Sequence, residues 1–196
     1  MNGLPSAVPE LALALALAWG AGIRVYAVLF LCGLAGRMAW IDLPGHLSLL
    51  SHPLVLGASG FMLVVEFLAD KVPWIDSIWD AVHTFIRIPV GAALVTMLFS
   101  DGSAAVSAAA AILGGAVAAG AHFAKAGARS SINLSPEPFS NWAASLTEDA
   151  LVPTGLWLAV AHPAAFLVLL VAATVAALLM LRWIWGGLRA IVGRLR

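Results

Sequence analysis

Apolar positions run through this chain in long unbroken blocks, and the polar positions between them gather into two stretches. Residues 11–36, LALALALAWGAGIRVYAVLFLCGLAG, form one apolar block. Residues 53–69, 104–124 and 164–185 form three more. Blocks approaching ~20 residues are what a helix needs to cross a bilayer core of about 30 Å. The short segments of strict apolar–polar alternation that mark a transmembrane barrel do not occur. The pattern predicts an all-α integral membrane protein.

The first polar stretch is residues 66–91, EFLADKVPWIDSIWDAVHTFIRIPVG. Glu66 and Asp70, four apart, share one helical face. Pro73 marks an interruption. Beyond it Asp76, Asp80, His83 and Arg87 follow at steps of four, three and four, which sets them on one stripe of a helix. Pro89 and Gly91 predict a further break before a short apolar tail. The second stretch, residues 122–155, places His122, Lys125 and Arg129 on one basic face. Asn141, Ser145 and Glu148 follow at steps of four and three, with Asn141 suited to cap a helix. Pro136 and Pro138 bracket Glu137 and prevent a helix there.

The two stretches share an order. Glu66-Phe67 corresponds to His122-Phe123, Lys71 to Lys125, Ser77-x-Trp79 to Ser140-x-Trp142, and Pro89-x-Gly91 to Pro153-x-Gly155. An internal duplication accounts for this, with one repeat over about 53–99 and the other over about 104–161, flanked by helices 11–36 and 164–185. The apolar pieces after Pro89 and Pro153 are about half the ~20 residues of a crossing. The expectation is therefore four full spans plus two broken or re-entrant polar hairpins, related as inverted repeats. Six spans with parallel repeats are the alternative.

Composition narrows the chemistry. The chain is 62% hydrophobic and 10% charged with zero formal net charge, so no basic field points to nucleic acid. Arg24, preceded by Gly20 and Gly22, falls inside the first block, where a charge costs ~2.5–3.5 kcal/mol even on the lenient insertion scale. A break at the glycines that turns Arg24 toward a polar site is one reading, and structural pairing with a carboxylate is the other. Asp80 and His83, one turn apart, are candidates to share a metal, but no compact ligand motif accompanies them. No cofactor is implied, and no Ser-His-Asp arrangement or phosphate loop appears. Small residues dominate 104–124, where Gly114, Ala118 and His122 recur every four positions. Such a face suits close helix packing or a homo-oligomer. Lipid is the expected surrounding, and the basic tail Arg182, Arg189, Arg194 and Arg196 predicts a cytoplasmic C-terminus.

At DKVPWIDSIWDAVHTFIRIPVGA, NLSPEPFSNWAASLTEDALV and LALAWGAGIRVYA the chain resembles a bacterial family of integral membrane proteins known only as a domain of unknown function, DUF4126. That resemblance implies the bacterial cytoplasmic membrane and no mechanism. Intramembrane ionisable groups are functional by default. The expected function is a transporter or channel for a small ion or polar solute. Its site would comprise Arg24, Glu66, Asp70, Asp76, Asp80, His83, Arg87, His122, Lys125, Arg129, Asn141 and Glu148. Two alternatives stand beside it: a membrane enzyme or flippase for a lipid phosphate, with Lys125, Arg129 and Arg87 as anion clamps, and a non-catalytic oligomeric scaffold.

Overall fold

A computed structural model of the chain describes residues 4–133 and 139–194; the Pro136–Glu137–Pro138 element and Arg196 lie outside them. Six α-helices follow one another: α1 Leu4–Arg37, α2 Pro53–Ala69, α3 Pro73–Leu98, α4 Ala104–Ile132, α5 Phe139–Ala161 and α6 Pro163–Arg194. A 3-10 helix, Gly45–Ser51, precedes α2, and no strand occurs among the described residues. Three stretches are long and apolar enough to cross a membrane, Ala7–Arg37, Trp74–Leu98 and Ala104–Ile132. The 3-10 helix and α2, bent by 69°, form a fourth if they act as one span. The outer surface is correspondingly apolar, with Leu54, Phe61, Phe85, Ile112 and Phe139 exposed. This is a multi-pass membrane protein.

The long first helix is broken at Arg24, whose backbone (φ −141°, ψ 80°) is not helical. The bend is sharp. A Cβ on Gly20 would lie 2.7 Å from a Val28 methyl, whereas residues eight apart in a straight helix stand ~12 Å apart. The break was expected at the glycines and falls on the arginine itself. Gly22 instead serves packing, since its Cα faces the Ala118 carbonyl too closely for any side chain.

The two arms of α1 organise the bundle. The N-terminal arm runs antiparallel to α5: Arg24 meets Ser145, Gly20 meets Val152 and Trp19 meets Gly155. The C-terminal arm runs antiparallel to α2, with Phe30 on Gly60 and Gly33 against Leu56. Helices α3 and α4 pair along their length, antiparallel, through Gly91 with Ala118 and Gly114 with Val95. In lipid there is no hydrophobic force between helices, so close backbone approach supplies the attraction. The Gly114–Ala118–His122 stripe is therefore consumed inside the chain, against α3 and α1.

Two sequence expectations fail here. Helix α3 continues through Pro89 and α5 through Pro153, so neither hairpin breaks where its proline stands. A proline inside a membrane helix is tolerated when its surroundings accommodate the freed backbone, and α3 packs closely on α4 two residues beyond Pro89, at Gly91. At 26 residues α3 is about 39 Å long, enough for a crossing. The interruption at Pro73 is borne out, as that residue opens α3 at its first turn.

Candidate functional site

The break at Arg24 and the Asp70–Val72 turn between α2 and α3 come together with the C-terminal end of α4 and the N-terminal end of α5, and the polar side chains collect where they meet. Asp76, Asp80, His83 and Arg87 all lie on one buried face of α3, while Trp74, Ile78, Val82 and Phe85 on its other faces are exposed. Helix α4 turns His122, Lys125 and Arg129 toward them. Glu66 and Asp70 enter from the end of α2, and Asn141, Ser145 and Glu148 from the start of α5. All twelve residues singled out in the sequence gather here, eleven of them joined in one network and His83 beside it, bonded to Trp79 and Tyr26. Eleven are buried, and the Glu148 side chain is 12% exposed.

Charges alternate through it. Arg87 holds Glu66 with Nη2–Oε1 at 2.8 Å and Asp80 with Nη1–Oδ1 at 2.6 Å. Lys125 Nζ lies 3.2 Å from Asp80 Oδ1, 3.5 Å from Asp70 Oδ2 and 3.4 Å from Glu148 Oε2. Asp70 Oδ2 also meets Arg24 Nη1 at 2.7 Å and Arg129 Nη2 at 3.5 Å. Arg129 Nε donates to Glu148 Oε1 at 2.8 Å and lies 3.8 Å from Asp76 Oδ2. Arg24 reaches across to Asp149 at 3.0 Å and donates to the Ser145 hydroxyl at 3.1 Å. Asn133 donates to Asp76 at 2.8 Å. Asn141 does not cap α5: its amide donates to the Asp70 carbonyl, and its side-chain oxygen accepts from Arg129.

The two histidines take defined tautomers from their partners. His83 Nδ1 lies 2.8 Å from the Trp79 carbonyl, which only accepts, so Nδ1 carries the proton. Nε2 then accepts from the Tyr26 hydroxyl at 3.2 Å. His122 Nδ1 lies 3.2 Å from Arg87 Nη1, which only donates, so its proton sits on Nε2 and is given to Thr84 Oγ1 at 2.7 Å. His122, accepting at one nitrogen and donating at the other, is neutral in this arrangement, and His83 is neutral with Nε2 accepting from Tyr26. The proposed metal pair is not formed: His83 spends both nitrogens on Trp79 and Tyr26, and Asp80 Oδ1 on Arg87 and Lys125. Among the described residues no three His, Cys, Asp or Glu side chains converge on a metal position.

One edge of the network reaches the surface. Lys71, 19% exposed, donates to Ser145 Oγ, stands 3.6 Å from Asp149 and lies over the Phe67 ring at 3.8 Å. Burial pushes its ammonium below the ordinary lysine value, with Asp149 opposing. Lys71, Asp149, Tyr26, Thr84 and Asn133 were not in the expected site. Asp149 adjoins Glu148, and Asn133 continues the four-residue step from Lys125 and Arg129, so both were findable. Tyr26, the chain's single tyrosine, stands alone in an apolar run and gave no comparable signal.

The network joins six carboxylates (Glu66, Asp70, Asp76, Asp80, Glu148, Asp149) to five cations (Arg24, Lys71, Arg87, Lys125, Arg129). Counted with all eleven groups ionised and both histidines neutral, the network carries one negative charge in excess. Oxygens Glu66 Oε2, Asp70 Oδ1, Asp76 Oδ1 and Asp80 Oδ2 are buried and accept no hydrogen bond from the described residues. A model of the family described as Domain of unknown function (DUF4126) matches residues 11–183. No curated protein and no solved structure matches the chain.

Proposed function

We propose, from the premise that this chain belongs to the DUF4126 family, that it moves a small cation or protons across the membrane. The buried network is its central site. One observation carries the reading: the six carboxylates of the network outnumber its five cations by one, and four buried carboxylate oxygens accept no hydrogen bond from the described residues. A proton or cation neutralises that excess. Ionisable groups at such depth are rare in membrane proteins and mark ion and proton paths. The Lys71–Asp149 edge, the least buried part of the network, is the point of entry.

In this reading the α2–α3 and α4–α5 hairpins are the two copies of a duplicated unit, each carrying its polar residues at the turn. The C-terminal end of α6 lies in the cytoplasm, following its arginines. A lipid-phosphate site gains nothing from the geometry, because Arg87, Lys125 and Arg129 already face carboxylates. Reconstitution tests the proposal. Proteoliposomes should take up protons or monovalent cations, and Asp80→Asn and His83→Ala should reduce that uptake at least tenfold. Equal uptake of every tested ion by wild type and both variants would sink it.

A further inference from the structure

The surroundings of Lys125 differ from those of the other buried cations. Each arginine of the network makes at least one contact of 3.0 Å or less with a carboxylate. Lys125 makes none. Its ammonium sits among four oxygens from four elements, all at similar long distances: the Ile23 carbonyl at 3.3 Å, Asp70 Oδ2 at 3.5 Å, Asp80 Oδ1 at 3.2 Å and Glu148 Oε2 at 3.4 Å. A charge-assisted N–H···O bond is ordinarily ~2.7–2.9 Å long. Lys125 is held much as an ion is held, by a shell of oxygens at near-equal range, and its hydrogen bonds to the Ile23 carbonyl and to Asp70 are both long.

The shell has the makings of a cation site. The Ile23 carbonyl is aimed outward by the break at Arg24, and it closes the C-terminal end of the first arm of α1, where the helix dipole is negative. Broken membrane helices present freed carbonyls to monovalent cations in this way. Three carboxylate oxygens complete the shell. Two of those carboxylates, Asp70 and Asp80, also carry a buried oxygen with no hydrogen-bond partner, Oδ1 and Oδ2 respectively. Their residues are 0% and 4% exposed.

We infer that the oxygens of Ile23, Asp70, Asp80 and Glu148 form a binding site for a dehydrated monovalent cation of ammonium's size, and that the Lys125 ammonium is its tethered occupant. The inference rests on the transport reading and gives it a substrate class: potassium- or ammonium-like ions. It also gives it a mechanism of exchange. An arriving cation replaces the lysine, which swings away on its four-carbon stem, and the lysine's return expels the cation. The site is never left as bare carboxylates.

Removing the tethered group should open the shell to ions from solution. Lys125→Met keeps the stem and deletes the charge. In purified Lys125→Met, KCl, ammonium chloride or methylammonium chloride should each raise Tm saturably. Against N-methyl-D-glucamine chloride at equal ionic strength the rise should be about 5–10 °C once the cation is some hundredfold above its Kd. Wild type, with its shell filled, should shift by less than a third of that. Lys125→Met with Glu148→Gln removes one charge of each sign, which guards against a variant that fails to fold. It should melt near wild type and show a cation shift several-fold smaller than Lys125→Met.

A Tm of Lys125→Met that is the same in every salt overturns the inference. So does a Lys125→Met that folds in no salt while the double variant folds without cation dependence. Flux by wild-type proteoliposomes separates the two readings: flux with a salt-independent Lys125→Met leaves transport standing and removes the shell. Wild type inert to every ion removes transport, whatever Lys125→Met does.

Discussion

Arg87 offers the sharpest test of how the network is held together. Its guanidinium is 0% exposed and spans Glu66 at 2.8 Å and Asp80 at 2.6 Å. Replacing it with methionine keeps the volume and deletes the charge. Asp80 retains Lys125 at 3.2 Å, whereas Glu66 has no second ion pair among the described residues, so one buried carboxylate is stranded and not two. Breaking a buried pair from one side costs about 3–5 kcal/mol. For a chain of this size each kcal/mol moves Tm by roughly 2–4 °C, so Arg87→Met should melt about 6–20 °C below wild type. Adding Glu66→Gln removes the stranded charge, and the pair of substitutions should regain about half of the loss or more. The residue is an amide with an incomplete set of partners, worth about 1–3 kcal/mol. A double-mutant cycle on detergent-purified protein measures this directly. A coupling energy below about 0.5 kcal/mol, within the range of independent sites, would refute the pairing.

Two further outcomes are expected. Gly22→Val and Gly91→Val press a side chain onto the Ala118 carbonyl and the Ala118 methyl, and each should lower stability by about 1–3 kcal/mol. Gly120→Ala and Gly127→Ala, with no atom within 4 Å of the added carbon, should be neutral or gain up to ~1 kcal/mol from helix propensity; thermal melts of the four side by side decide. Lys71 bears on pH. Its folded-state value is lowered by burial, so the unfolded chain binds more protons between the lowered value and the ordinary one. Stability therefore rises with pH across that interval. Lys71→Met should flatten this alkaline rise, and equal slopes for variant and wild type would count against the burial of Lys71.

Most of the site was legible in the sequence because helical spacing is a geometric signal. Steps of three and four put Asp76, Asp80, His83 and Arg87 on one face and His122, Lys125 and Arg129 on another, and charges that share a face in lipid must find one another. The pairing of the two polar stretches followed, since neither had another partner of its size. What could not be read was whatever depends on a neighbour. Pro89 and Pro153 are breakers by local chemistry, yet tertiary packing carries both helices through them. Gly20 and Gly22 marked the break in α1 approximately, while its position at Arg24 comes from the five groups that draw that guanidinium inward: Asp70, Glu148, Asp149 and the hydroxyl and carbonyl of Ser145. Asp149 sits one residue beyond the stripe the spacing picked out, and only the bend that brings Arg24 to it gives it a place.

The sharp turn at Arg24 has a consequence for biosynthesis. The ribosome delivers this arginine to the membrane long before any of its partners exists: Asp70 emerges after α2, and Ser145, Glu148 and Asp149 only with α5. Until then the first helix carries an unneutralised charge and has no surface to bend against. Its early form is the straight helix that its apolar sequence favours, with Arg24 drawn toward a headgroup. The break is expected to follow once Asp70 and then the Ser145–Asp149 segment of α5 can draw the guanidinium inward. Truncation before residue 145 should therefore leave α1 unbent.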